Sequence, residues 1–99
     1  MKKIEAEMCR AVQLGSACRI SNTTVEKDAG VTVVRLHGNA IFKRDGDKLW
    51  FSLAGWNTVT TRSRVNALLR IFGGRRVSTK QGQAMLDGKP IDSNKWVGV

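Results

Sequence analysis

The sequence predicts a small α+β domain with an N-terminal helix, an antiparallel β-meander, a second amphipathic helix and short C-terminal β-strands. Two stretches carry apolar residues at helical spacing, and the stretch between them alternates apolar and polar residues as strands do. A chain of 99 residues is long enough for one compact domain, so a single domain over residues 1–99 is expected. With 41% hydrophobic residues, this chain has enough apolar side chains to build a core.

The first helix is predicted from Ile4 to Leu14, where apolar residues recur every three or four positions, and Gly15 is expected to end it. A weak strand pattern follows from Arg19 to Lys27. A stronger one covers Val31 to His37, which consists mostly of β-forming residues. Gly38-Asn39 is the predicted turn after it.

The next two strands are predicted at residues 40–43 and 48–53, and Asp45-Gly46 has the composition of a two-residue hairpin loop between them. Such a loop predicts two cross-strand pairs of large side chains, Phe42 with Leu49 and Ile41 with Trp50.

The second helix has the clearest pattern in the sequence and is predicted from Thr61 to Phe72, with Thr60 or Thr61 as its N-cap. Its apolar stripe is expected to pack against the inward face of the preceding strand: Val65, Leu68, Leu69 and Phe72 against Leu49, Phe51 and Leu53. Short strands are predicted in the tail, at residues 75–80, 83–86 and 95–99.

Several classes of protein are disfavoured by the inventory of reactive side chains. Cys9, Cys18 and the single His37 cannot supply four ligands to zinc. In a cytosolic protein the two thiols are interpreted as small hydrophobes rather than as a disulfide or a reactive pair. His37 has no serine or cysteine at a catalytic spacing and is interpreted as structural. Asp45 and Asp47 are more typical of a turn than of a cation site. Phosphate-binding glycine loops are missing as well. We therefore expect no enzymatic activity, no cofactor and no bound metal ion.

Membrane insertion and secretion are also disfavoured. No run approaches the roughly 18 consecutive apolar residues that a membrane-spanning helix needs. Glu5 and Glu7 interrupt the place where a signal peptide would be apolar. The expected location is therefore the cytosol, without a membrane partner.

The charge balance indicates a polyanionic partner. Seventeen Lys and Arg against eight Asp and Glu give a formal net charge of +9, and nucleic acid is the commonest polyanion that such a protein meets. Residues 60–80 contain no acidic residue and carry six cations, Arg62, Arg64, Arg70, Arg75, Arg76 and Lys80. Arginine is the side chain that best forks onto phosphate oxygens.

The start of the second helix is the segment that the sequence favours for binding. Arg62 and Arg64 are expected in its first turn, where a cation opposes the helix dipole, so they are predicted to serve binding rather than stability. Backbone N–H groups and hydroxyls there would bind a phosphate. Ser63, Asn66 and Arg70 are expected on the exposed side. The predicted anion site comprises Thr60, Thr61, Arg62, Ser63, Arg64, Arg70, Arg75, Arg76 and Lys80. A merely solvated basic face is one alternative. Another is that Arg62 and Arg64 lie along the sheet and pair with Asp45, Asp47 or another carboxylate, in which case they would serve stability.

Tryptophans could add a flat apolar surface to this site. Trp50 and Trp56 either fill the core or offer a platform on which bases stack or a partner anchors. Trp96 is expected to anchor the tail.

Three sequence blocks resemble a known group of proteins. They are Asn22–Val25, the block that begins Leu36-His37-Gly38-Asn39, and the stretch from Gly55 that reads Gly-Trp-x-Thr-x-Thr-Thr-Arg-Ser-Arg-x-Asn. Together they are similar to a pattern in small tailed-bacteriophage proteins. The resemblance covers about residues 22–68. It implies a phage or prophage product acting in the bacterial cytoplasm, and it implies no catalytic residue.

Two functions are therefore expected from different classes. The first is binding of DNA or RNA through phosphate contacts, without catalysis. The alternative is inhibition or modulation of a host protein that takes part in transcription, defence or nucleic-acid metabolism. In that case the basic face would dock on an acidic patch, with Trp50 or Trp56 as the buried anchor.

Overall fold

Over residues 2–99, which the computed structural model describes, the chain forms two helices and nine strands. In chain order these are α1 (Lys3–Leu14), β1 (Cys18–Ile20), β2 (Thr23–Asp28), β3 (Val31–Leu36), β4 (Asn39–Asp45), β5 (Lys48–Phe51), α2 (Val59–Phe72), β6 (Val77–Lys80), β7 (Gln83–Leu86), β8 (Lys89–Pro90) and β9 (Val97–Gly98). The predicted α+β class and order of elements are confirmed.

The strands form two antiparallel sheets. The larger has the order β1-β2-β3-β4-β5-β9 and the smaller has the order β6-β7-β8. Helix α1 packs on β1, β2 and α2, while α2 also contacts β4 and β6. Helix α2 therefore lies where the two sheets and the first helix meet.

The core lies between the helices and the large sheet, as the apolar stripes predict. On α2, Val65, Leu68 and Leu69 are fully buried, and the Phe72 ring lies 6.1 Å from that of Phe42. From the strand side, Leu49, Phe51 and Leu53 enter the same cluster. The predicted packing of α2 on the meander is confirmed.

The prediction of one strand over Arg19–Lys27 is wrong. A turn at Ser21-Asn22 divides it into β1 and β2, which pair with each other. Ser21 has a φ of +54°, a conformation typical of turns and excluded from strands. Serine and asparagine are common turn residues, but the flanking β-forming residues hide this signal.

The predicted turn at Gly38-Asn39 is also wrong, by one residue. The turn is His37-Gly38, with φ values of +51° and +81°, and Asn39 already pairs with Leu36. Positive φ at both loop positions is typical of a type I′ turn, which places glycine second.

The hairpin between β4 and β5 has a different register from the predicted one. Its loop is Gly46-Asp47, so Phe42 lies opposite Phe51 and Lys43 opposite Trp50. Glycine occupies the first loop position, with a φ of +58°. Because the register moves by two residues, Phe42 and Trp50 keep their predicted faces. Ile41 does not pair with Trp50; it lies at the β-bulge between β3 and β4 and is fully buried.

Helix α2 begins two residues before its predicted start. Thr58, and neither Thr60 nor Thr61, is the N-cap, and its Oγ1 accepts a hydrogen bond from the N–H of Thr61 at 3.2 Å. A threonine with extended backbone places its hydroxyl within reach of the third helical N–H, which explains this choice.

Strand boundaries in the second half of the chain also differ from prediction. The strand predicted to reach Leu53 ends at Phe51, and the one predicted from Arg75 begins at Val77. Strand β8 was not predicted. The last strand, β9, joins the large sheet beside β5.

Candidate functional site

A cleft of about 580 Å³ follows one face of α2. Its helical lining residues recur at intervals of three and four, which places them on a single side: Val59, Arg62, Ser63, Asn66, Ala67 and Arg70. Beyond the helix, Gly74, Arg75 and Arg76 continue the wall, and Glu5 and Asp87 contribute carboxylates. Four of the six predicted cations therefore line one cavity, namely Arg62, Arg70, Arg75 and Arg76.

Arg64 does not belong to this cleft, and its prediction as a phosphate contact is wrong. Its side chain is buried, with Nη1 2.8 Å from a Glu5 oxygen and Nε 3.2 Å from the Thr23 hydroxyl. The physical reason is its helical phase. Arg64 is adjacent to Val65 and four residues before Leu68, so it lies on the side of α2 that α1 covers.

Ser63 completes the same buried cluster, because its hydroxyl donates a hydrogen bond to Glu5. The Glu5 carboxylate thus joins α1 to two residues of α2 and, through Arg64, to Thr23 of β2. Thr60–Arg64 was expected to serve binding rather than stability. For Ser63 and Arg64, this expectation is corrected, since both hold elements of the fold together.

Arg62 lines the cleft, but part of its hydrogen-bonding capacity is already used within the protein. It is half-buried, and its Nη1 donates to the carbonyl and the side-chain oxygen of Asn57, at 3.0 and 2.6 Å. As the fourth residue of α2, it also has a backbone N–H that already donates to Thr58 O at 3.0 Å. One of the backbone N–H groups predicted to bind a phosphate is therefore already engaged. Among the described residues, only Nη1 of the Arg62 guanidinium has hydrogen-bond partners, so its Nε and Nη2 are available to a ligand.

Arg75 and Asp87 close the other end of the cleft. Arg75 Nε lies 2.7 Å from Asp87 Oδ2, and Asp87 Oδ1 accepts the backbone N–H of Arg76 at 3.0 Å. The hydrogen bond from Arg75, followed by that from Arg76, holds the pKa of the Asp87 carboxyl below its ordinary value. This pair fixes the segment after α2 against the turn that precedes β8.

Three arginines of the cleft are left with uncompensated charge. Within residues 2–99, the ion pairs are Arg35–Glu26, Arg64–Glu5 and Arg75–Asp87, so Arg62, Arg70 and Arg76 have no carboxylate partner. Arg70 and Arg76 are exposed. Because Arg64 and Arg75 already neutralise the carboxylates of the cleft, its positive potential comes from these three side chains.

Asn66 was expected on the exposed side but instead holds the small sheet in place. Its Nδ2 donates to the carbonyl of Val77, and its Oδ1 accepts the N–H of Val77, both at 2.7 Å. These bonds join α2 to β6 and fix one wall of the cleft. The sequence pattern does not predict these hydrogen bonds, because the partner of the Asn66 side chain is the backbone of a residue 11 positions later, and backbone groups leave no signal in the order of side chains.

The remaining predicted site residues are dispersed. Lys80 is exposed on β6 and does not line the cleft. Trp50 is half-buried on the large sheet, opposite Lys43. Thr60, Thr61 and Trp56 line a second cavity, on another side of the α2 N-terminus.

The second cavity has a volume of about 510 Å³ and was not predicted. Its apolar lining comes from Leu36, Ile41, Leu53, Ala54 and Trp56, and its polar lining from His37, Asn39, Thr58, Thr60 and Thr61. Three segments distant in sequence build it, namely the β3–β4 turn, the loop after β5 and the first turn of α2. The blocks Leu36–Asn39 and Gly55–Asn66 meet here.

The thiols show no features of a reactive pair. Both cysteines are free, and burial, followed by the charge of Glu5, raises the pKa of the Cys9 thiol to about 11. A thiol with that pKa is protonated at neutral pH.

The part of the chain from residue 2 onward holds no group of three or more side chains suited to a metal ion. No helix within residues 2–99 has the length and apolar character needed to cross a membrane.

Comparison with known proteins identifies the family. No curated protein and no solved structure matches the chain. The model of the Kyanoviridae Gp96 protein family, a phage family, matches residues 1–98 and so extends well beyond the stretch of residues 22–68 on which the resemblance rests. The phage origin is confirmed, and the chain belongs to the Kyanoviridae Gp96 protein family.

Proposed function

We propose that this phage protein binds nucleic acid in the host cytoplasm through phosphate contacts from Arg62, Arg70 and Arg76, without catalysing a reaction. One observation carries the proposal: these three arginines line the same cleft, and the carboxylates of that cleft are engaged by other cations. Arginine forks fit phosphate oxygens in two-point contacts, and each neutralised phosphate releases counterions.

The expected binding is independent of sequence. Phosphate contacts carry no base information by themselves, and side chains that read base edges would have to be unengaged in the cleft. Asn66 and Ser63 are the neutral polar side chains of α2 that line it, and both are held by hydrogen bonds within the protein. The neutral polar side chains of this face of α2 are therefore not available to read base edges, and the free guanidinium groups of the cleft are assigned to phosphates.

The test is a binding titration of short DNA and RNA oligonucleotides at about 50 mM salt. Arg70→Gln and Arg76→Gln are each expected to weaken binding about 10- to 150-fold, because a hydrogen bond to a charged group contributes about 1.5–3 kcal/mol. Arg19→Gln is the matched control, since Arg19 is an exposed arginine on β1, outside the cleft. Equal losses in all three variants, or no binding by the wild type, would reject the proposal.

An acidic host protein is the competing partner class, because the same positive charge would attract it. Affinity capture from a nuclease-treated bacterial lysate separates the two classes. A protein retained in stoichiometric amount and released by Arg70→Gln, combined with no oligonucleotide binding, would replace nucleic acid by a protein partner. Loss of all captured material after nuclease treatment supports nucleic acid.

A further inference from the structure

The apolar cavity and the basic cleft flank the first turn of α2. Val59 and Arg62 line the cleft, whereas Thr58, Thr60 and Thr61 line the cavity. Successive residues of a helix point about 100° apart, so the two depressions lie on different sides of this turn, and a ligand that reaches both must cross the end of a helix about 10–12 Å wide. A single strand of a few nucleotides is long enough for this crossing. Two large apolar side chains are exposed there, Trp56 at 61% and Val59 at 71%.

Trp56 differs from the other two tryptophans. Trp96 has the Lys43 ammonium 4.2 Å from its ring centroid, and Trp50 is half-buried beside Gly98. Trp56 is the most exposed of the three and lines the cavity. Its indole therefore offers a flat apolar surface at the entrance of an apolar cavity.

Resting on the proposed function, we infer that the cavity beside Trp56 binds an unpaired nucleobase of a single strand whose phosphates lie in the arginine cleft. The charge of the adjoining cleft selects the occupant, because it attracts a polyanion and the cavity itself is apolar. Every nucleobase has a π-face that stacks on an aromatic side chain, so this contact needs no particular sequence.

The polar groups of the cavity suit the edge of a base. The Asn39 amide donates and accepts hydrogen bonds, and the Thr60 hydroxyl does both as well. In a duplex, the bases are stacked and paired, so entry of one base requires its extrusion. The protein is therefore expected to prefer single strands over a duplex of equal length.

The experiment compares a single strand that carries all its bases with an abasic strand of the same length and phosphate count. The wild type is expected to bind the base-bearing strand about five- to 150-fold more tightly, the range that stacking of one base provides. Trp56→Ala is expected to abolish this preference and to leave binding of the abasic strand unchanged, whereas Trp56→Phe retains part of it. Trp96→Ala is the matched control, because it removes an exposed indole outside the cavity.

The possible outcomes separate this inference from the proposed function. Equal affinity for the two strands, or a preference that persists in Trp56→Ala, overturns the base pocket while phosphate binding by the cleft stands. Failure of the wild type to bind either strand rejects the proposed function. That result also rejects binding of a base in the cavity, and the occupant of the cavity is then an apolar side chain of a protein partner.

Discussion

Replacing Arg64 with methionine removes the cation that compensates Glu5. The Glu5 side chain is only 7% exposed, and after the change it retains a hydrogen bond from Ser63 but no charged partner. Removing one partner of a buried ion pair costs about 3–5 kcal/mol, because the other charge stays buried and uncompensated. Since a domain of this size is stable by about 5–15 kcal/mol, Arg64→Met is expected to remove a large share of the free energy of unfolding.

Urea unfolding at neutral pH measures this loss. Glu26→Gln is the surface control, because the Glu26–Arg35 pair is exposed and is expected to contribute less than about 1 kcal/mol. The double variant Glu5→Met with Arg64→Met is expected to recover most of the lost stability, since apolar residues replace both charges. If Arg64→Met alone costs less than about 1 kcal/mol, the structural role of the buried pair is refuted.

Further predictions concern stability, thiol reactivity and titration. Asn66→Ala is expected to lower the free energy of unfolding by about 1–3 kcal/mol, because it leaves the backbone N–H and carbonyl of the buried Val77 unpaired. Hydrogen exchange at the Val77 amide should become faster, and an unchanged rate would contradict this prediction. Cys9 is expected to react with a thiol reagent much more slowly than Cys18. The Cys9 thiol should also make the free energy of unfolding fall as pH rises from 9.0 towards about 11, since its pKa is 9.0 in the unfolded chain and about 11 in the folded protein. Denaturation curves of Cys9→Ala at these pH values should lack this contribution. The pKa of Asp87 is lower in the folded state, so its contribution is present above the ordinary value of 3.8 and is lost as pH falls through the lower folded value. Thermal melts of Asp87→Asn should lack this acid loss, and an identical acid profile would show that the carboxylate does not contribute.

Much of the fold could be predicted because its main determinants are local. The stripe through Leu68 and Leu69 places α2, and the alternation around Phe51 identifies the inward face of β5. Turn positions were less predictable. Glycine is second in the His37-Gly38 loop but first in Gly46-Asp47, so its presence marks a turn without setting the register.

The candidate site was only partly predictable, because charge composition does not reveal long-range partners. Four cations of the basic run line the cleft, and the helical repeat from Arg62 to Arg70 explains why these two residues share a face. The role of Arg64 depends on Glu5, which lies 59 residues earlier. The cavity beside Trp56 depends on the meeting of three separate segments, for which the sequence contains no periodic signal.

The salt dependence of oligonucleotide binding tests the role of the cleft most directly. For a single strand, each neutralised phosphate contributes about −0.7 to the slope of log K against log salt concentration. Arg70→Gln combined with Arg76→Gln is therefore expected to flatten that slope by about 1.4, while Arg19→Gln leaves it close to the wild-type value. An unchanged slope in the double variant would contradict the assignment of phosphate contacts to this cleft.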